Sequence, residues 1–247
     1  MAICAGRPPL QGELTLGRYR RGGVLRRPWY TKNMVEIIPA ILTESEEELV
    51  RLVHIMERAG VKRAHLDICD GIFVPTRTIK GYEQLARLQT DIIFDVHLMV
   101  RNPEEQCGYW CAVKSADRFL VHVETVKAFA TLASHAKQCG KTIGVAINPE
   151  TPMERLKAAK GATNLVQFMT VHPGRQGRPF VPEVLEKVAM LHAAHPDITI
   201  MLDGGISPQN AHACVAAGAS ALVSGSYVVR SSDMRRAIEE LQVAVIQ

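Results

Sequence analysis

Apolar positions along the chain follow two periods in turn. Short runs rich in β-branched residues fall at Val35–Leu42, Arg63–Ile68, Asp91–Met99, Arg118–Val123, Thr142–Ile147, Leu165–Val171, Ile198–Leu202 and Ala221–Ser224. Runs of this length and character predict strands. Between them lie amphipathic stretches with helical spacing, such as Glu46–Ala59 and Val181–His195, with a weaker one near Tyr82–Leu88. Ser45 followed three residues on by Glu48 has the form of a capping box opening the first helix. Gly60, Gly140 and Gly218 stand where helix C-termini are wanted. Eight strands alternating with helices predict a parallel α/β architecture. A single closed (β/α)8 TIM barrel accounts for eight units more simply than an open sheet does.

The first 33 residues break this pattern. They are rich in Gly, Pro and Arg and carry no sustained apolar period. A transit peptide or a nucleic-acid-binding arm would have such a composition. A disordered tail, or a translated leader ahead of a start at Met34, is the simpler expectation, because the first strand begins directly after Met34. The predicted organisation is therefore an extension over 1–33 and a barrel over 34–247.

Charge changes its meaning once this division is made. The chain's net +4 combines +6 in the extension, from six Arg and Lys32 against Glu13, with −2 in the remainder. The body is mildly acidic and offers no electrostatic footprint for nucleic acid. With 47% hydrophobic and 22% charged residues over 247 positions, the chain can bury one large core and is not of the disordered class. No apolar run approaches the ~18 residues a membrane span needs. The six cysteines (Cys4, Cys69, Cys107, Cys111, Cys139 and Cys214) form no CxxC pairs. Cys107 and Cys111 can share a helix face but lack neighbouring ligands in the sequence, so reduced thiols in a cytoplasmic protein are expected.

The polar residues inside the predicted strands gather at the C-terminal ends: His65 and Asp67, His97, His122, Asn148, Asp203, Gly225 and Ser226. This is the end at which barrels build active sites. In His65-Leu66-Asp67 and Asp95-Val96-His97, period two puts the outer residues of each triplet on one face. Adjacent strands then bring His65, Asp67 and His97 together, with Asp203 approaching from across the barrel. Two imidazoles and two carboxylates suit one divalent Zn, Fe, Mn or Co ion. Taken singly, each would pass for a hydrogen-bonded rim residue. Asp203-Gly204-Gly205 and Gly225-Ser226 end consecutive strands, where such loops cradle a phosphate through backbone N–H groups and a short helix N-terminus. His172-Pro173-Gly174-Arg175-Gln176-Gly177-Arg178 reads as a mobile lid, against the blander alternative of an exposed basic loop.

From Ile37 to about Val229 the chain resembles the ribulose-phosphate 3-epimerase family. The resemblance rests on Ile38-Pro39-Ala40-Ile41-Leu42, His65-Leu66-Asp67-Ile68-Cys69-Asp70-Gly71, Phe73-Val74-Pro75, Asp95-Val96-His97-Leu98-Met99, Asn148-Pro149-Glu150-Thr151-Pro152, Met169-Thr170-Val171-His172-Pro173-Gly174, Asp203-Gly204-Gly205-Ile206 and Gly225-Ser226. It implies a TIM barrel of the ribulose-phosphate-binding type, one divalent metal, a homo-oligomer, and conversion of D-ribulose 5-phosphate to D-xylulose 5-phosphate. By position it makes His65, Asp67, His97 and Asp203 the metal ligands. Asp67 and Asp203 become the acid/base pair, acting through a metal-stabilised cis-enediolate. Ala40, Met99 and Met169 would line the pocket. Gly174, Arg175, Gly177, Arg178, Gly204, Gly205, Gly225 and Ser226 would meet the sugar phosphate. Departures lie around the substrate: Ala40 replaces a serine, Cys69 a methionine, Ile72 a histidine and Thr76 an asparagine, while Arg175, Gln176 and Arg178 alter the lid. Alternatives left open are another ketose phosphate, such as D-allulose 6-phosphate, and an inactive sugar-phosphate-binding barrel.

Overall fold

The computed structural model describes residues 35–173 and 177–246. The predicted extension, and Gly174, Arg175 and Gln176 of the predicted lid, lie outside the described residues. Eight strands run β1 (Glu36–Ile41), β2 (Arg63–Cys69), β3 (Ile93–Met99), β4 (Ala116–His122), β5 (Thr142–Ile147), β6 (Leu165–Met169), β7 (Thr199–Asp203) and β8 (Ala221–Ser224). Each pairs in parallel with the next, and β8 pairs with β1, so the sheet closes into the expected barrel. The helices are α1 (Glu46–Arg58), α2 (Tyr82–Arg87), α3 (Pro103–Trp110), α4 (Phe129–Gln138), α5 (Val184–Ala194), α6 (Pro208–Ala216), α7 (Ser226–Val229) and α8 (Met234–Ala244). After β5 the connection is a 3-10 segment over Met153–Ala159 instead of an α-helix.

The local chemistry explains the helices well. In α1, Leu49, Leu52, Val53 and Met56 are buried at i, i+3, i+4 and i+7, the stripe of an amphipathic helix lying on a sheet. Ser45 Oγ accepts from the Glu48 backbone N–H at 3.2 Å, capping the first turn. The reciprocal half of the capping box is absent, because the Glu48 carboxylate grips Arg51 at 2.6 and 2.8 Å instead. Helix α5 starts at Val184, three residues later than the pattern suggests, since Pro182 and Glu183 form a tight turn first. Just past β6, Thr170 N–H still donates to Asp203 O, while Thr170 O accepts from Val181 N–H.

Side-chain alternation divides the core in two. Outward residues such as Phe94, Val96, Leu98, Phe119 and Val121 pack against the helices, in one large apolar layer. Inside the barrel a smaller set, with Ile38, Leu120, Leu165, Met201 and Val223, forms the middle plug. Gly144 makes that plug possible: a Cβ there would lie 2.7 Å from Leu120 Cδ1 and 2.8 Å from Leu165 Cγ. The plug is thus a packed core and not a pore, and it separates two polar layers at the barrel's ends.

The cysteines depart from expectation. Cys111 and Cys139 are joined in a disulfide, their Cα atoms 5.5 Å apart. Twenty-eight residues separate them in the sequence, and only the packing of α3 beside α4 brings them together. Cys69, Cys107 and Cys214 are buried free thiols. No described helix is long and apolar enough to cross a membrane.

Candidate active site

Register places the quartet. Strands β2 and β3 pair His65 with Asp95 and Asp67 with His97, so period two turns His65, Asp67 and His97 to the barrel interior. Asp203 ends β7, which is separated from β2 by β8 and β1 in the closed sheet. One donor atom from each of His65, Asp67, His97 and Asp203 lies within 4.8 Å of all the others. His97 Nδ1 is 2.9 Å from Asp67 Oδ1 and 3.3 Å from Asp203 Oδ2. His65 Nε2 is 3.5 Å from Asp67 Oδ1 and 3.6 Å from Asp203 Oδ2.

Two observations show that this donor set fits a metal. Both ring nitrogens of His65 are fully buried, and neither makes a hydrogen bond. A buried unsatisfied nitrogen costs roughly 1–3 kcal/mol, and here one of them faces two carboxylates at a separation too long for hydrogen bonding. The donor chemistry, two imidazoles and two carboxylates converging at one end of a barrel, is that of a borderline divalent cation. The arrangement could hold such an ion.

Exposure divides the quartet in two. His65 and His97 are fully buried, whereas the Asp67 and Asp203 side chains each keep 9% of their surface accessible. A cleft at the barrel mouth is lined by both carboxylates and by neither imidazole. Burial pushes the Asp67 carboxyl up, but the two imidazoles beside it, His65 and His97, outweigh it and hold the carboxyl well below the ordinary carboxylate range. Burial likewise works to neutralise His97, but Asp203 and Asp67 win and raise its pKa to about 9.

The remaining predicted residues assemble round the same cleft. Ala40, Met99 and Met169 line its walls, and Gly177, Arg178, Gly204, Gly205, Gly225 and Ser226 line its rim. Gly204 and Gly205 have φ of +117° and +65°, which favours glycine. A Cβ on Gly204 would fall 2.3 Å from Val171 Cγ2, and one on Gly205 3.2 Å from the Phe180 backbone. The rim loop therefore has space only for bare backbone. Ser226 opens α7, the short helix expected beside this loop. At the start of the predicted lid, His172 is exposed, with its ring against the Glu150 carboxylate. Of the predicted site residues, Gly174 and Arg175 are outside the described residues.

Three supporting groups escaped the sequence reading or were only half seen. His97 turns its second nitrogen to His122 Nε2 at 2.9 Å, and His122 Nδ1 lies 3.1 Å from Glu124 Oε2. Glu124 also accepts from the Asn148 backbone N–H and the Thr151 hydroxyl. Behind Asp203, the buried Gln167 amide donates to Oδ2 at 2.9 Å. These groups orient a histidine and a carboxylate that face the site. Their signal was present: His122-x-Glu124 repeats the period-two polar spacing of His65-x-Asp67, and Gln167 is a polar residue inside an otherwise apolar strand.

Residues 36–229 match the ribulose-phosphate 3 epimerase family. The chain belongs to that family. It is 33% identical over 215 residues to ribulose-phosphate 3-epimerase of Bacillus subtilis, covering 85% of this chain and 99% of that one. It is 34% identical over 215 residues to the cytoplasmic isoform of Oryza sativa, covering 85% and 94%. Among solved structures, 3-hexulose-6-phosphate synthase shares the fold with a TM-score of 0.64 at 17% identity, over 85% of this chain and 99% of that one. Membership makes the chain an epimerase of carbohydrate metabolism, acting on a sugar phosphate.

Proposed function

We propose that the chain inverts C3 of a ketose phosphate reversibly, with D-ribulose 5-phosphate and D-xylulose 5-phosphate as the pair. The observation that carries this reading is that Asp67 and Asp203, alone of the buried quartet, open onto the cleft from strands on either side of β8 and β1. Inversion at one carbon needs two proton-transfer groups on opposite faces of it. Asp67 is held ionised by its two imidazole neighbours, the state that accepts a proton. One carboxylate removes the C3 proton, and the electron pair left behind passes into a cis-enediolate of the substrate. The other carboxyl, protonated beforehand, delivers its proton to the opposite face of C3. Each turnover leaves the pair with roles exchanged, and solvent resets it.

His65, Asp67, His97 and Asp203 would hold the divalent ion, with Zn²⁺, Fe²⁺, Mn²⁺ and Co²⁺ all suited to the donors. Such an ion, when bound, supplies positive charge against the oxyanion that develops at the reacting end. Met99 and Met169 present weak acceptors to the cleft and limit water there. Gly204, Gly205, Gly225 and Ser226, with Gly174 and Gly177 from the lid, would receive the phosphate on backbone N–H groups. Arg178, and Arg175 three residues before it, would add a charge-assisted contact. A homo-oligomer in the cytoplasm completes the proposal, and sedimentation and fractionation test those two points.

The altered substrate contacts, Ala40 among them, make chain length the sharpest test. Turnover is compared on D-ribulose 5-phosphate and D-allulose 6-phosphate with metal-replete protein. The five-carbon substrate should be strongly preferred. Preference for the six-carbon sugar would reassign the substrate, and absence of C3 proton exchange on either would overturn the reading.

A further inference from the structure

Away from the barrel mouth, a second group of metal-competent side chains stands on the outer wall, where the C-terminal ends of α3 and α4 meet. Cys111, His135 and Cys139 each place a donor atom within 4.8 Å of the other two. Helix geometry fixes these positions. Cys111 N–H donates to Cys107 O, and Cys139 N–H to His135 O, both at 3.1 Å, so each helical turn continues through its cysteine. His135 and Cys139 are therefore an i, i+4 pair on one face of α4, the spacing that lets one helix supply two ligands. The two helix ends are tied to each other independently of any sulfur chemistry: Lys141 Nζ, just past α4, donates to Val113 O at 2.7 Å and Ala116 O at 2.6 Å in the turn that leaves α3.

We infer that Cys111, His135 and Cys139, when the Cys111–Cys139 disulfide is reduced, form a second metal site of the Cys₂His type, selective for a thiolate-preferring ion such as Zn²⁺. Two thiolates and an imidazole make a soft donor set, quite unlike the oxygen-rich quartet at the mouth. Three protein donors leave a fourth position for water or an outside ligand. The sulfurs are half-buried and the His135 ring is exposed, so the site is open to ions and reductants. The nearby Cys107, one turn earlier on α3, is buried and its thiol is pushed up to about 12 by burial, which sets it apart as an inert core residue.

Disulfide and metal compete for the same two sulfur atoms. A small dithiol reduces the Cys111–Cys139 bond with two electrons and two protons, and is itself oxidised to a disulfide. Binding of Zn²⁺ then displaces the two thiol protons. Oxidised protein can occupy only the mouth, whereas reduced protein can occupy both sites.

The test uses the full chain, reduced with a phosphine, stripped of metal and titrated with Co²⁺ under anaerobic conditions. Reduced wild type should take up a further equivalent beyond that bound at the mouth, with thiolate-to-cobalt charge-transfer absorption. Disulfide-intact protein should lack that band, and so should reduced Cys111→Ser. Reduced His135→Ala, altered only at an exposed side chain, should lose it or bind Co²⁺ at least ~10-fold more weakly, about 1.4 kcal/mol. The band should persist in Asp67→Asn and Asp203→Asn, which perturb only the mouth. Absence of the band in reduced wild type, or its survival in Cys111→Ser, would overturn the inference.

Discussion

The two ends of the barrel interior are built on the same strand faces yet solve opposite problems. On β2 the inward residues run Arg63, His65, Asp67; on β3 Asp95, His97; on β4 Arg118, Leu120, His122. At the N-terminal end, Asp95 Oδ1 accepts from Arg63 at 2.5 Å and from Arg118 at 2.7 Å. Arg63 also reaches Asp117 at 2.7 Å and Glu36 at 3.3 Å, and Arg118 reaches Glu36 at 3.4 Å. The floor carries its own cations. At the C-terminal end two carboxylates face two imidazoles, one of which makes no hydrogen bond at all. The floor is charge-balanced by its own arginines, with only Asp95 Oδ2 left without a hydrogen bond, whereas at the mouth a whole imidazole is left without one.

The largest effect expected from breaking this contrast is at the mouth. Asp67→Asn and Asp203→Asn, measured as metal-replete enzyme, should each lose ~10²–10⁴-fold in turnover or more, with melting temperature little changed. The floor should respond the other way. Asp95→Asn leaves Arg63 and Arg118 without their shared buried partner, so urea unfolding should show a loss of about 3–5 kcal/mol. Turnover per folded molecule should be retained. Loss of activity with unchanged stability at Asp95 would abolish the distinction.

Glu124 sharpens the comparison by pH, since it supports the mouth from behind. Burial raises its pKa, but the His122 contact and the Thr151 and Asn148 hydrogen bonds overcome this and lower it to about 2. A carboxyl depressed in the folded state adds stability above its unfolded pKa of ~4.3. That contribution is lost as pH falls from there towards about 2. Glu124→Gln should therefore flatten the acid-unfolding profile across this window, a change absent from the profile if Glu124 is a solvated surface group. A smaller effect is expected at the rim: Arg178→Gln should raise KM about tenfold, or ~1.4 kcal/mol, with kcat nearly unchanged. The smallest is expected at the chain's start. Protein beginning at Met34 should keep full activity and melt within a few degrees of the full chain.

Much of this is legible in the sequence itself, for definite reasons. The strands show in the sequence because a sheet buried on both faces demands continuous apolar runs, and their polar interruptions at His65, Asp67, His97 and Asp203 are conspicuous for the same reason. Period two then gives the shared face of each pair. What lacked a local signal was harder to read. The Cys111–Cys139 disulfide depends on how two helices pack across 28 residues. The floor network went unseen because Arg63 and Arg118 stand at strand starts, where charged residues are common, and Asp95 gains its meaning only from them. Glu124 lies just beyond β4, so the His122-x-Glu124 spacing passed as a strand end. The 3-10 segment over Met153–Ala159 has helical composition but too few residues to mark its type.

If two carboxylates work on opposite faces of one carbon, isotope exchange should tell them apart. Metal-replete wild type, Asp67→Asn and Asp203→Asn are each incubated in deuterated buffer with either epimer of the C3-deprotonatable substrate. Wild type should place solvent deuterium at C3 of the product. Each variant should fail to invert, yet still exchange C3–H of one epimer, and that epimer should differ between the two variants. Inversion at the wild-type rate in either variant, or exchange of the same epimer by both, would contradict the two-carboxylate account.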